Sequence, residues 1–358
     1  MEVPKTEGIK YAGSKLRLLP YIFELVDRLE GVETVLDGFS GSTRVSQAFA
    51  KLGYSTTSND ISVWSEVFAT CYLASEKSNT YYQEQIDYLN NLKGTDGWYT
   101  ENYGGAVDEA KKPFQIKNTQ KLDAIRDAIE RLDLLWEDKC VLLTSLIYAL
   151  DKVDNTLGHY VAYLSDWSDR SFNDLKLKLP NRFMRNGQNR VVRDDVFNTV
   201  AKNRYDLVYF DPPYGSNNEK MPPSRVRYAA YYHLWTTIIR HDKPQLFGKA
   251  NRREDSRDEV SGSVFEEFRR NEMGNYVAME ALRQLIAETN SHYLLLSYSS
   301  GGRATKQQLL DMILEFGNLL EVKKIDYKRN VMSNMRSTFE WVNADEKHHE
   351  YLFLMEKI

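Results

Sequence analysis

Apolar runs and amphipathic stretches alternate along most of this chain, and the alternation predicts strands and helices in turn. Residues 14 to 29, SKLRLLPYIFELVDRL, space their apolar positions as a helix does, with Pro20 starting or kinking a turn. The segment ETVLDGFSGSTRVSQAFAKLGYSTTSNDIS (33 to 62) reads as strand, glycine-bearing turn, amphipathic helix and second strand. Such a βαβ unit implies a parallel sheet with a right-handed crossover. From about 75 to 190 the rhythm is lost: NNLKGTDGWYTENYGGAVDEAKKP is polar, aromatic and loop-like, and two helical segments follow around 116 to 152. The α/β rhythm returns with NRVVRDDVF, YDLVYFDPPY, SHYLLLSYSS, LLEVKKIDYKR and HEYLFLMEK. Neither an internal repeat nor a low-complexity tail is visible. The pattern predicts an α/β domain made from both ends of the chain, with a long insertion between its second and third strands.

Composition narrows the class without changing that picture. The 358 residues are 42% hydrophobic and 27% charged, as in ordinary globular proteins. No apolar run approaches the ~18 residues of a membrane span, and the first residues lack the apolar core of a secretory signal. Cys71 and Cys140 show no metal-type spacing, which fits a reducing cytoplasm and argues against a disulfide framework or a zinc site. A net charge of −4 does not advertise a polyanion-binding protein, but phosphate contacts are made by local patches. Residues 170 to 204 hold nine Arg or Lys against three acids, including Arg182, Arg185, Arg190 and Arg193. That density suits phosphate contacts or, equally, a solvated charged face.

Two strand ends carry chemistry. Asp37-Gly38-Phe39-Ser40-Gly41-Ser42-Thr43 joins a strand to a helix, where glycines let the backbone turn tightly and approach a ligand. Neither G-x-G-x-x-G nor G-x-x-x-x-G-K-[ST] is matched, so a phosphate-chain ligand loses support. Asp60 closes the next strand, where a carboxylate can accept hydrogen bonds from ribose hydroxyls; a helix-capping role is the alternative. The ligand suggested is a nucleoside without a phosphate chain. The second strand end is Asp211-Pro212-Pro213-Tyr214. The prolines fix the corner and add no N–H, leaving the Asp211 carboxylate and the Pro212 carbonyl as acceptors beside the Tyr214 ring. Two acceptors and a flat ring match the exocyclic amine of a nucleobase. Hydrogen bonds that draw this nitrogen towards tetrahedral geometry would free its lone pair for attack.

Together DGFSGS, DPPY and the N-terminal KYAGSK resemble the S-adenosylmethionine-dependent amino-methyltransferases, and in this order the Dam-like D12 class of DNA adenine-N6 methyltransferases. The resemblance implies a Rossmann-like sheet of seven strands, the last antiparallel, and methyl transfer to a flipped-out adenine in duplex DNA. It implies a catalytic domain from residues 1–75 and 188–358, with 76–187 as an inserted target-recognition region. By this resemblance Tyr11 and Lys15 help hold the methionine end of the cofactor, and Asp37, Phe39, Gly41, Ser42 and Thr43 form the glycine loop. Asp60 takes the ribose, and Ile61 packs on the cofactor adenine. Asp195, or the equally placed Asp194, lies near that adenine's amino group; Asp211, Pro212, Pro213 and Tyr214 are catalytic. Thr43 departs from the family pattern, which usually has glycine there. The segment NTLGHYVAYLSDW, with Asn155, His159 and Tyr160, is associated with DNA contact, as are Arg182, Arg185 and Arg190. The aromatics of RYAAYYHLWTTIIRHDKP (227 to 244) read first as core, KANRREDSRDEVSGS (249 to 263) as an exposed loop, and His348-His349-Glu350 as surface. The expected setting is bacterial or phage DNA modification in the cytoplasm, with a cognate restriction endonuclease as a possible partner and no metal. Alternatives are a cytosine-N4 methyltransferase, an RNA or protein-amide methyltransferase, and an inactive DNA-binding relative. Asp211 at the start of the corner favours adenine over cytosine.

Overall fold

The computed structural model describes residues 2–109, 111–183, 188–215, 227–257, 262–327 and 348–358. Seven strands form one sheet: β1 (Thr34–Asp37), β2 (Ser55–Asn59), β3 (Arg190–Val192), β4 (Tyr205–Phe210), β5 (Ser291–Ser299), β6 (Gly317–Tyr327) and β7 (His348–Lys357). Their order is β6-β7-β5-β4-β1-β2-β3. β3, β2, β1, β4 and β5 pair in parallel, while β7 slots antiparallel between β5 and β6. The expected βαβ unit is present, with α2 (Arg44–Lys51) crossing from β1 to β2. The expected antiparallel last strand is present too.

Continuous apolar runs form these strands because both faces of the sheet are covered. Leu207, Tyr209, Leu295, Leu352 and Leu354 point to the face packed by α1 (Leu19–Val26) and α2. The intervening Val208, Phe210, Leu294, Leu296 and Phe353 point to the opposite face, under α8 (Val196–Lys202), α11 (Val277–Glu288) and α12 (Lys306–Phe316). A period of two therefore survives, hidden because both phases are apolar. Pro20 lies in the first turn of α1, where its missing N–H has no intrahelical partner to lose.

The middle of the chain is more helical than its polarity suggests. α3 (Val63–Leu73) is followed by α4 (Asn79–Asn91), α5 (Trp98–Tyr103), α6 (Ile116–Arg131) and α7 (Trp136–Leu150). The last two match the predicted helical segments; α5 lies inside the stretch expected to be loop. Its Tyr99 and Tyr103 are fully buried, and Asp123 of α6 accepts from the Tyr99 and Thr100 backbone N–H groups at 3.0 and 2.8 Å. Tertiary contacts thus supply the N-terminal cap that local sequence lacks. The insertion shares one core with Trp64 and Phe68 of α3 and with Leu234, Trp235 and Ile238 of α10 (His233–Arg240), the helix after the short α9 (Tyr228–Tyr231).

The chain moves outward from β1 to β3 and then returns to β4 on the other side of β1. Ligands of open α/β sheets bind at the carboxyl ends of strands flanking such a reversal. Both motif corners, after β1 and after β4, stand there.

Candidate active site

β1 delivers Asp37 and the glycine turn. The Gly38 N–H donates to the Tyr209 carbonyl at 3.0 Å and the Ser40 N–H to the Asn59 carbonyl at 2.9 Å, fastening the turn to both neighbouring strands. A Cβ on Gly38 would stand 2.7 Å from the Phe210 ring, and one on Gly41 2.9 Å from the Tyr11 ring. Gly41 also has φ +48°, so no side chain fits there. Thr43 has φ 61°, the left-handed conformation that explains why glycine is the usual occupant. Its hydroxyl accepts from Gln47 Nε2 at 3.1 Å.

Asp60 is held by two backbone donors: Gly41 N–H to Oδ2 and Ser62 N–H to Oδ1, each at 2.8 Å. Burial raises its carboxyl above the ordinary value, and these N–H groups oppose the shift. Ile61 beside it is 52% exposed, an apolar face left open at the rim. An open cleft with about 780 Å3 of empty space, mouth included, runs between Tyr11, Phe39, Asp60, Asp195, Asp211 and Phe265. A smaller recess shares Tyr11, Gly41 and Asp211 with it and adds Lys15, Asp37 and Ser42. In that recess Asp37 accepts from Ser46 Oγ at 2.6 Å through Oδ2, while its buried Oδ1 has no hydrogen-bond partner. Burial pushes the Asp37 carboxyl up to about 7; the Ser46 bond opposes this and the nearby Asp211 and Asp60 add to it.

Both acids after β3 line the cleft, with different freedom. Asp194 binds the Asp195 N–H, Asn198 and Lys202 with its two oxygens. Asp195 caps α8 through one oxygen, on the Phe197 N–H at 3.0 Å.

The corner after β4 carries a charged cluster. Lys15 Nζ stands 2.9 Å from Asp211 Oδ1 and 3.0 Å from Glu350 Oε1, and it also donates to the Tyr214 hydroxyl. Tyr214 in turn donates to Glu350 Oε1 at 2.9 Å. Burial alone would depress the Lys15 ammonium, but Asp211 and Glu350 outweigh it and hold it above the usual lysine value. Burial pushes Asp211 up to about 6; Lys15 lowers it and Glu350 raises it. Pro212 is buried at the corner and Pro213 faces the cleft. The Tyr214 carbonyl accepts from the Arg303 N–H at 2.9 Å, which ties the corner to the segment after β5.

Glu350 corrects the expectation of a surface site at His348-His349-Glu350. Only 7% of it is exposed. Because β7 runs against its neighbours, its first residues lie at the carboxyl edge of the parallel strands, beside the site. Glu350 shares the strand phase of buried Leu352 and Leu354, the one signal in the sequence that could have placed it inward.

The candidate DNA contacts are placed differently from the cleft residues. Asn155 is fully buried, its Oδ1 accepting from the Ser168 N–H at 2.9 Å. His159 packs on Tyr231, and Tyr160 lies in the helical core, its carbonyl bonded to His233. Arg182 bonds to Ser75, Asn79 and the Lys77 carbonyl and covers the Tyr82 ring, so it clamps α4 rather than standing free. Arg190 is exposed at the start of β3 and Arg193 pairs with Glu66. Arg185 lies outside the described residues. Residues 258–261 of the 249–263 segment lie outside the described residues, and the rest is not simply an exposed loop: Arg253 is buried and bonded to both oxygens of Asp242 and to Asp255. The aromatics after the corner are core, as expected, yet Tyr232 and Tyr228 also stack against Tyr11 and so shape the cleft wall. Among the described residues, no cluster of His, Cys, Asp and Glu could hold a metal ion, and no helix is long and apolar enough to cross a membrane.

Comparison with known proteins agrees with this geometry. Residues 11–293 match the family described as D12 class N6 adenine-specific DNA methyltransferase. The modification methylase StsI of Streptococcus sanguinis is 31% identical over 98% of this chain and 52% of its own length. The type II methyltransferase M.FokI of Planomicrobium okeanokoites is 26% identical over 98% of this chain and 53% of its own. The chain therefore spans about half the length of these two relatives. M.NlaIII of Neisseria lactamica, also a type II methyltransferase, is 26% identical over 95% of this chain and 99% of its own. With the family match covering most of the residues and both motif corners lining one cleft, the chain belongs to the D12 class of N6 adenine-specific DNA methyltransferases.

Proposed function

We infer that this protein transfers a methyl group from S-adenosylmethionine to N6 of a flipped-out adenine at specific sites in duplex DNA. The observation that carries the reading is the position of Asp211, which lines both the main cleft and the recess holding the orphaned Asp37 oxygen. That buried acceptor fits a protonated amine, and the recess that holds it is lined by Gly41 and the Tyr11 ring. When bound, the cofactor supplies a sulfonium methyl group whose departure leaves a neutral thioether. Asp37 and Lys15 would hold its amino-acid end, Asp60 its ribose and Ile61 its base. Asp195 would reach the base amine, having an oxygen uncommitted to protein where Asp194 has none.

The chain's own chemistry is acceptor chemistry. Asp211, held up to about 6 by burial, is mostly ionised at neutral pH and can accept a hydrogen bond from N6. Once N6 has gained the methyl group it must lose one proton, and the same carboxylate is placed to receive it. Pro212 would supply the second acceptor and Tyr214 the stacking face. Target reading is assigned to the inserted 76–187 region. Relatives named as a modification methylase and a type II methyltransferase support a restriction-modification setting, and the reading extends to a cytoplasmic location with a cognate endonuclease as partner.

The test is transfer of labelled methyl groups from S-adenosylmethionine to plasmid DNA, RNA and protein, followed by mapping of modified adenines. Label in N6-methyladenine at one recurring sequence is expected. Label in cytosine, RNA or protein, or none in DNA, would overturn the reading.

A further inference from the structure

Glu350 lies beyond the matched family segment of residues 11–293 and lines neither the cleft nor the recess. Yet three donors converge on its Oε1: Lys15 Nζ at 3.0 Å, the Tyr214 hydroxyl at 2.9 Å and Ser297 Oγ at 3.1 Å. They come from the N-terminal segment, the catalytic corner and β5. Three hydrogen bonds on one buried carboxylate oxygen are a built arrangement, since a buried charge is tolerated only where such partners offset its desolvation.

We propose that Glu350 is a positioning residue for methyl transfer, drawing the Lys15 ammonium away from sole pairing with Asp211 so that Asp211 keeps its strength as an acceptor. This rests on the function proposed above. Lys15 stands at nearly equal distances from the two carboxylates, 2.9 Å from Asp211 Oδ1 and 3.0 Å from Glu350 Oε1, but its hydrogen bond goes to Glu350 while Asp211 Oδ1 keeps no hydrogen-bond partner. The trio of two carboxylates and one ammonium carries a net charge of about −1 in the ionised state. A lone Lys15–Asp211 pair would be neutral, and its carboxylate would be a poorer partner for an amine that becomes cationic as it is methylated. The same contact fixes the Tyr214 hydroxyl, so one side chain sets both the charge and the ring at the corner.

Among the described residues, other groups also face this cluster. Tyr209 of β4 and Tyr228 after the corner are phenols whose ionisation is disfavoured first by burial and then by Asp211. Asp37 of β1 is a third buried carboxyl interacting with Asp211. His349, next in the chain to Glu350, stands with Nδ1 2.8 Å from Asp326 Oδ1. None of these four is bonded to Lys15, whereas Glu350 is.

The experiment reads Asp211 itself in cofactor-free protein. Aspartate labelled at its side-chain carboxyl is followed by NMR against pH, with Asp211→Asn identifying the signal. In the wild type the signal should titrate near pH 6. The two carboxylates bridged by Lys15 lie no more than about 6 Å apart. Glu350→Gln should therefore move the titration down by about one unit or more. Single-turnover methylation should show the acidic limb moving the same way, with the plateau rate down about 10- to 100-fold. Glu350→Asp, which keeps the charge, should restore the wild-type limb. A Gln variant whose Asp211 titrates as in the wild type overturns the proposal, and so does one whose transfer rate stays within about twofold. Should Glu350→Gln fail to fold, Glu350→Met takes its place, since the remaining Lys15–Asp211 pair is neutral and the thioether needs no hydrogen-bond partner. Asp211 should again titrate lower, and a titration as in the wild type overturns the proposal. The NMR result stands whether or not DNA is methylated, so failure of this inference is distinguishable from failure of the proposed function.

Discussion

Exchanging Asp37 for asparagine removes a buried charge while keeping the shape of the side chain, and it should set folding against cofactor binding. The carboxyl is 1% exposed, and its burial raises it from 3.8 to about 7. Below about pH 4 the group is protonated in both folded and unfolded chains and contributes no difference. As pH rises from there, the unfolded carboxyl releases its proton while the folded one retains it, so the folded state loses relative stability. The loss levels off above pH 7. A gap of roughly three units at ~1.4 kcal/mol each amounts to about 4 kcal/mol. Asparagine escapes this cost and can still accept from Ser46 Oγ, though its amide then needs a partner where Oδ1 has none. The expected gain for Asp37→Asn is thus about 2–4 kcal/mol at pH 8 and little near pH 4. Denaturant unfolding of the cofactor-free protein across this range measures it. Binding of S-adenosylmethionine at pH 8 should weaken at least about tenfold, because the ionised partner of its amine is gone. A stability difference that is the same at pH 4.5 and pH 8 would refute the electrostatic account.

Three further outcomes follow from the site and its surroundings. Asp211→Asn should lower transfer to DNA by about 100-fold or more while cofactor binding by calorimetry changes little; turnover near the wild-type rate would refute its role as acceptor. Arg182→Ala should cost about 2–3 kcal/mol in denaturant unfolding, since it loses its bonds to Ser75, Asn79 and Lys77 and its cover of Tyr82. The salt dependence of DNA binding should be unchanged, and a shallower slope at full stability would restore Arg182 as a phosphate contact. Thr43→Gly should stay within about 1 kcal/mol of wild type, because relief of the left-handed strain offsets the lost Gln47 bond. A loss above about 3 kcal/mol would show that the Thr43 side chain, not its backbone, governs this turn.

Local chemistry made half of the site legible. A glycine turn after a strand, an acid closing the next strand and a proline-stiffened corner each have physical meaning within a few residues, and all of them line the cleft. The 170–204 basic stretch was ambiguous because charge density does not say where a guanidinium points. Arg182 turned inward onto α4, where Tyr82 and the Ser75 and Lys77 carbonyls satisfy it. Asn155 and Tyr160 likewise became core, since polar groups can be buried once each finds a partner.

By itself the sequence determined the strands, the βαβ crossover and the two motif corners, because these rest on periodicity and on backbone limits set by single residues. It could not determine what meets across long separations. Lys15 and Glu350 are 335 positions apart. Their contact exists because β7 enters the sheet antiparallel, between β5 and β6, and so starts at the edge where the parallel strands end. Only that register converts an acid in an apolar strand into the partner of a buried ammonium, and with it sets the charge at the Asp211 corner.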